Sequence, residues 1–369
     1  MRAICTKDIL LSGVNTVFRA VSSKNTLPVL QGILLQAESQ TLHFAATDLE
    51  IGITCQLPAQ VDEAGAIVLP ARLFAEIVRK LPDVGLDLEV RDGSLTIRYY
   101  NSTLVLRGFD PEEFPLLPDL MNTTSVQLPA KLLQAMIRRT VFACGADENR
   151  PVFTGVLWEF EGQIIRLVAT DTHRLAYSTA EFSNLDDLRF SGIIPAKTVN
   201  EINRLLRDED EIISIQFNNS QAAFRFGTVR LISRLIEGQF PNYKLVIPQS
   251  CETKLRVSVR EFLEAVERAS LLSRDSNLGA NIVRLRAAES LLWLEQNSEF
   301  GKISERIPIE MEGKQVGITF NSKYLLDVLR VIDSDELIFE LSGPNGPGVV
   351  RPLTDPNYLC LVLPVRTTS

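Results

Sequence analysis

The chain holds only two histidines, His43 and His173. His173 alone lies in a polar cluster, Thr170-Asp171-Thr172-His173, in which a carboxylate two residues away could orient an imidazole as a general base for hydrolysis. That reading competes with a plainer one. Ala46-Thr47-Asp48-Leu49 repeats Ala169-Thr170-Asp171-Thr172, and Glu50 stands where the second copy has His173. An aspartate that recurs without its histidine belongs to a repeated turn rather than to a catalytic pair. No nucleophile elbow, G-x-x-x-x-G-K loop or H-E-x-x-H pair occurs, and each of those chemistries needs its residues at fixed spacing. Gly343-Pro344-Asn345-Gly346-Pro347-Gly348 is turn chemistry, because proline cannot donate the N–H that a phosphate needs. The five cysteines are dispersed, without a C-x-x-C pair or a histidine at metal spacing. The expectation is a protein without catalysis, metal or cofactor.

The second residue pattern is basic. Arg72/Arg79, Lys131/Arg138, Lys197/Arg204 and Lys323/Arg330 are each seven residues apart, and seven residues return a helix to within about 20° of one direction. Val14 and Glu267 break the pattern after Lys7 and Arg260. A single such helix face is ordinary solvated surface. Its recurrence matters because the formal net charge is −8, which argues against a conventional nucleic-acid binder. Helices arranged around an axis would give an acidic protein a locally basic surface, suited to phosphates and indifferent to sequence.

The elements that position these residues repeat. Pro70-Ala71-Arg72, Pro129-Ala130-Lys131 and Pro195-Ala196-Lys197 each open an amphipathic stretch, with proline expected in the first helical turn. Weaker versions begin at Ile4, Ser258 and Asn321. The six basic markers, at 7, 72, 131, 197, 260 and 323, divide the chain into near-equal units. Alternate units are more alike: Leu27-Pro28-Val29-Leu30-Gln31-Gly32 answers Arg150-Pro151-Val152-Phe153-Thr154-Gly155, and Glu113-Phe114-Pro115 answers Gln239-Phe240-Pro241. The larger repeat is therefore two units long, which is a fold signal. In 70–81, Leu73, Phe74, Ile77, Val78 and Leu81 form the apolar face. Leu86–Val90 and Leu95–Tyr99 flank Asp92-Gly93, and Ile212–Phe217 and Ala222–Phe226 flank Asn218-Asn219, so hairpins follow the helices. The class is α+β, three tandem domains at 1–122, 123–249 and 250–369, each of two helix-plus-antiparallel-strand units.

Charge at Arg2 and Lys7 comes too early for a signal-peptide apolar region. No run approaches the ~18 apolar residues of a membrane span. With unpaired cysteines, these features point to a reducing cytoplasm and no membrane partner.

Over essentially its whole length the chain resembles the bacterial DNA polymerase III beta subunits, the replicative sliding clamps. The resemblance is carried by Lys24-Asn25-Thr26-Leu27-Pro28-Val29-Leu30, Ala46-Thr47-Asp48-Leu49-Glu50, Pro70-Ala71-Arg72, Ala169-Thr170-Asp171-Thr172-His173-Arg174-Leu175-Ala176, Phe240-Pro241-Asn242-Tyr243 and Leu363-Pro364-Val365-Arg366. It implies a DNA-clamp fold, a ring-shaped head-to-tail homodimer around duplex DNA, and a groove for short peptides at the junction of the second and third domains. The implied partners are the polymerase III core, the clamp loader, and other polymerases and repair proteins. It places the protein in the cytoplasm, on the nucleoid during replication. Matching positions put Phe153, Thr170, His173, Arg174, Leu175, Pro241, Val246, Leu363, Pro364, Val365 and Arg366 in the groove, and Lys24, Arg72 and Lys197 on the DNA side. The stripe geometry adds Arg79, Arg138, Arg204 and Lys323 to that side. Two positions depart from the family pattern: Thr172 where a small residue, often glycine, is usual, and Leu245 where some members carry a basic residue.

Overall fold

Six copies of one small unit, a strand, a helix and a three-stranded meander, account for the secondary structure. A computed structural model describes residues 1–22, 27–121, 123–182, 189–206, 211–273, 281–298 and 301–366. The first unit comprises β1 (Arg2–Thr6), α1 (Lys7–Val17), β2 (Gly32–Glu38), β3 (Thr41–Thr47) and β4 (Ile51–Pro58), with an added strand β5 (Gln60–Glu63). The second has β6 (Gly65–Pro70), α2 (Ala71–Lys80), β7 (Gly85–Arg91), β8 (Ser94–Tyr99) and β9 (Ser102–Arg107). The third has β10 (Thr124–Pro129), α3 (Ala130–Thr140), β11 (Gly155–Glu161), β12 (Ile164–Thr170) and β13 (Arg174–Glu181). The fourth has β14 (Arg189–Pro195), α4 (Ala196–Leu205), β15 (Ile212–Phe217), β16 (Gln221–Phe226) and β17 (Val229–Arg234). The fifth has β18 (Thr253–Ser258), α5 (Val259–Ser273), β19 (Ile282–Ala288), β20 (Leu291–Ser298) and β21 (Gly301–Pro308), with an added β22 (Glu310–Gly313). The sixth has β23 (Val316–Asn321), α6 (Ser322–Leu329), β24 (Glu336–Leu341), β25 (Gly348–Pro352) and β26 (Tyr358–Val362).

The hairpins form where turn residues require them. Asp92 and Gly93 take φ values of 48° and 68° between β7 and β8, the left-handed pair of a two-residue hairpin. Asn218 Oδ1 accepts from the amides of Ser220 and Gln221 at 3.0 and 2.9 Å. The repeated prolines sit one position earlier than expected: Pro70, Pro129 and Pro195 end strands, and the helices begin at the following alanine. A residue without an N–H suits the last rung of a ladder as well as a helix start. On α2 the inward face is Ala71, Phe74, Ala75 and Val78. Leu73, expected there, is 49% exposed.

The chain folds as two compact units, Met1–Leu133 with Asn200–Leu235, and Gln134–Val199 with Ile236–Ser369. Among the described residues each contains one large sheet and one small sheet, all of whose strand pairs are antiparallel. In the first, an eight-stranded sheet runs β10-β15-β16-β17-β4-β3-β2-β6 and a five-stranded one β5-β1-β7-β8-β9. In the second, a nine-stranded sheet runs β14-β11-β12-β13-β26-β25-β24-β18-β22 and a four-stranded one β21-β20-β19-β23. The large sheets are composites. Each joins two meanders through their third strands, β17 with β4 and β13 with β26. Backbone pairing therefore crosses the sequence positions near 122 and 250. In the second unit Phe262, Phe320 and Phe339 are fully buried, with ring centroids 6.0 and 5.7 Å apart, and seat α5 on the sheets.

Candidate functional site

Between β12 and β13 the Thr-Asp pair makes a bend out of its own side chains. Thr170 Oγ1 accepts from the amide of Thr172 at 3.2 Å and donates to the carbonyl of Arg174 at 2.7 Å. Asp171 Oδ1 accepts from the amides of His173 and Arg174 at 2.9 and 3.0 Å. Between β3 and β4 the same four bonds recur through Thr47 and Asp48, at 2.9 to 3.0 Å. This is the local competition of short polar side chains with the ladder that starts turns. Both bends place their third residue in left-handed backbone, Thr172 at φ 77° and Leu49 at φ 75°.

These bonds decide against the catalytic pair. The remaining oxygen of Asp171 accepts from Arg174 Nε at 3.1 Å, so the carboxylate is engaged in holding the bend and Arg174. The His173 ring is stacked with Tyr324, centroids 6.3 Å apart.

Arg174 is buried, with 7% of its side chain exposed. It donates through Nη1 to Asp327 on α6 and through Nη2 to the carbonyl of Phe142 at 2.7 Å. Its guanidinium carbon lies 4.5 Å from the centre of the Tyr324 ring and 5.4 Å from that of Phe142. Burial opposes the charge, but the bonds to Asp327 and Asp171 outweigh it and raise the guanidinium above its ordinary value. Arg174 thus braces the bend against α6, a geometry that needs the planar fork of arginine.

Beside the bend lies a cavity of about 260 Å³. Of the residues expected in a groove, Phe153, Thr170, His173, Arg174, Leu175, Pro241, Val246 and Leu363 line it. Pro364 does not, and Val365 and Arg366 border a different depression with Arg284 and Thr319. The Val365 amide donates to the Thr319 carbonyl at 2.8 Å, which draws the chain that way. Sequence reasoning missed Thr172, Phe240, Asn242, Tyr243 and Leu361 as lining residues. For Phe240, Asn242 and Tyr243 the signal was present in the repeated Phe-Pro step at 240–241. Tyr243 forms one wall, its hydroxyl donating to Glu159 Oε2 at 2.7 Å. Burial and that bond push its phenol far above the usual value, so it stays a neutral donor. Val246 and Leu363 are 54% and 40% exposed at the mouth, while Leu175 is 3% exposed at the floor. An apolar floor with a few polar anchors at the rim suits capture of a short chain segment.

The basic residues divide into two kinds. Arg72 and Arg79 on α2 and Lys323 on α6 are exposed and have no ion-pair partner among the described residues. Lys197 on α4 is exposed. Arg138 shares its charge with Asp333 at 3.2 Å, and Arg204 with Glu201 at 2.6 Å. Arg330, the residue that caps the C-terminus of α6, pairs with Glu267 of α5 at 2.9 Å. Lys24 lies outside the described residues. The seven-residue stripe therefore exists on the helices, but local carboxylates neutralise part of it.

Comparison with known proteins agrees with this fold. Residues 1–118, 127–242 and 244–366 match the family models described as the N-terminal, central and C-terminal domains of the DNA polymerase III beta subunit. The chain belongs to that family and has its three-domain clamp fold. The beta sliding clamp of Bacillus subtilis is 36% identical over 379 residues, with both chains covered in full. The crystal structure of the DNA polymerase sliding clamp from Bacillus subtilis matches with a TM-score of 0.95, covering 100% of this chain and 99% of that one at 36% identity. The DNA polymerase III subunit beta from Pseudomonas aeruginosa matches at 29% identity with a TM-score of 0.93 and full coverage of both chains.

Proposed function

We propose that this chain is a non-catalytic processivity factor: two copies close head to tail into a ring around duplex DNA, and the cavity beside the Thr170–Arg174 bend tethers polymerases and other replication or repair proteins by short peptides. The observation that carries the reading is the set of unfinished sheets. Each of the six units has a third meander strand. Four of these pair within the chain, β4 with β17 and β13 with β26. The other two, β9 and β21, each stand at one end of a small sheet, the five-stranded sheet that begins with β5 and the four-stranded one that ends with β23. Pairing β9 of one copy with β21 of another would build a nine-stranded sheet from four and five strands, as β13 and β26 do within one chain. Val105 on β9 is 60% exposed, which suits burial in such a joint. Two joints related by a twofold axis make a closed assembly.

Domains at 1–122, 123–249 and 250–369 follow from this reading, with joints at β4–β17, β13–β26 and β9–β21. Exposed Arg72, Arg79, Lys197 and Lys323 supply weak, sequence-independent phosphate contacts, together with Lys24, Arg138 and Arg204. No helix among the described residues is long and apolar enough to cross a membrane. The working location is the bacterial cytoplasm, on the nucleoid during replication, with the polymerase III core and the clamp loader as partners.

The test is retention of loaded protein on covalently closed and on linearised plasmid in high salt. A ring stays on the circle and leaves the linear form. Equal loss from both would show binding through direct phosphate pairing alone and remove the ring. Light scattering should report a dimer at micromolar concentration.

A further inference from the structure

The backbone that forms the cavity is built twice. β13 pairs with β26 so that Leu175 faces Leu361, and β4 pairs with β17 so that Gly52 faces Ile232. The amide of Leu363 donates to the carbonyl of His173 at 2.8 Å, and the amide of Arg234 to the carbonyl of Glu50 at 2.9 Å. Bend, register and this crossing bond all correspond, so the first unit holds a counterpart of the groove centred on Gly52.

Its side chains close it. Where Leu175 forms the floor of the open cavity, Gly52 leaves room, and Leu117 fills that room: a Cβ at position 52 would lie 2.5 Å from Leu117 Cδ2. Leu117 follows Phe114-Pro115 as Tyr243 follows Phe240-Pro241. Tyr243 is held to Glu159 beside Tyr177, whereas Leu117 packs on the cluster of Val29, Leu30, Ala45, Val68 and Phe114. Arg230 pins the strap that carries Leu117, donating to the Pro118 carbonyl and pairing with Asp119, both at 2.8 Å. At the rim, Glu50 and Arg234 replace His173 and Leu363 and form an ion pair at 3.5 Å.

We propose that Leu117 occupies in cis a second groove of the same design, so that each chain offers one peptide site although its fold provides the backbone for two. The ligand that the released site would take is a short peptide with an aliphatic or aromatic anchor, because the space is shaped for a leucine side chain and walled by aliphatic and aromatic residues. The inference rests on reading the open cavity as a peptide groove, and the experiment separates the two.

The probe is a fluorescein-labelled octapeptide with leucine and phenylalanine anchors, titrated by anisotropy against the full chain. Leu363→Asp should weaken its binding at least about tenfold by placing a charge at the apolar mouth. In that background, Leu117→Gly with Arg234→Leu should restore binding at one peptide per chain. If Leu363→Asp alone binds like the wild type, the groove reading falls and the inference with it. If Leu363→Asp abolishes binding and the folded triple variant does not recover it, the groove stands and the inference is overturned. A measurement that deletes nothing guards against misfolding. Gly52→Ala should expel Leu117 and speed limited proteolysis within 111–121 by about tenfold, since cleavage follows the population of the opened strap. Unchanged cleavage would mean that Leu117 does not fill this space.

Discussion

The guanidinium of Arg174 donates to the carboxylate of Asp327, joining the bend after β12 to α6 across more than a hundred residues of sequence. Both partners are largely removed from water, with side-chain exposures of 7% and 23%. Arg174→Ala is expected to lower stability by about 3–5 kcal/mol, because it leaves Asp327 and Asp171 without their cation. Arg174→Lys should recover little, since a point charge cannot meet Asp171, Asp327 and the Phe142 carbonyl together. Urea unfolding followed by tryptophan fluorescence reads both. His173→Ala, at the exposed rim, should leave the midpoint nearly unchanged while weakening peptide binding.

Thr172 holds φ 77° in backbone that costs a β-branched residue roughly 1–2 kcal/mol. Thr172→Gly should relieve most of this, less the chain entropy that glycine adds to the unfolded state. A net gain below about 1 kcal/mol is expected, seen as a small rise in Tm. A fall would show that the threonine side chain, which borders the cavity, contributes more than its strain costs.

On the helix faces proposed to meet DNA, ion pairing within the chain decides which charges are available to phosphate. Arg72→Ala with Arg79→Ala should reduce the slope of log affinity against log salt by roughly 0.9 for each phosphate no longer neutralised. Arg138→Ala should do less, since Asp333 already holds that charge. Glu267→Ala should tighten DNA binding by releasing Arg330. Anisotropy with a labelled duplex over a salt series distinguishes these outcomes.

Cys5, Cys55, Cys144 and Cys360 have their thiols pushed up to about 12 by burial, against an ordinary value of 9.0. A folded-state value above the unfolded one means that the native chain binds the proton more tightly. The associated stability is complete below pH 9 and is lost as pH rises toward 12. Alkaline titration followed by circular dichroism should show this loss. At pH 8 a thiol reagent should modify Cys251, the exposed one, well before the other four.

The repeat, the α+β class and the hairpins were legible because each has a local signature: a proline step, a seven-residue basic spacing, a left-handed turn pair. The bend at Thr170 was legible for the same reason, since Thr47 and Asp48 repeat it. What stayed hidden depends on distant segments. Nothing near Arg138 announces Asp333, and nothing near Arg330 announces Glu267, so the stripe overstated the free charge. Tyr324 follows Lys323 on a helix read for its polar face, and its stacking on His173 arises only when α6 meets the bend. The joining of β13 to β26 was equally silent, because strands of similar composition carry no mark of which neighbour they will choose. At the tail, the resemblance placed four consecutive residues in one groove, whereas Val365 donates to the Thr319 carbonyl and borders a different depression.

The terminal strands β9 and β21 leave a row of amide and carbonyl groups at the border of each small sheet, with Val105 exposed beside them. Such borders are templates for any strand that meets them. On the proposed ring a lone copy leaves β9 and β21 without partners, so newly made chains face a race between finding their own kind and adhering to something else. Synthesis rate and dilution then act on the quality of the pool as well as on its size. A variant that weakens the proposed β9–β21 joint should first appear as material lost to precipitation, before any defect in its hold on DNA becomes visible.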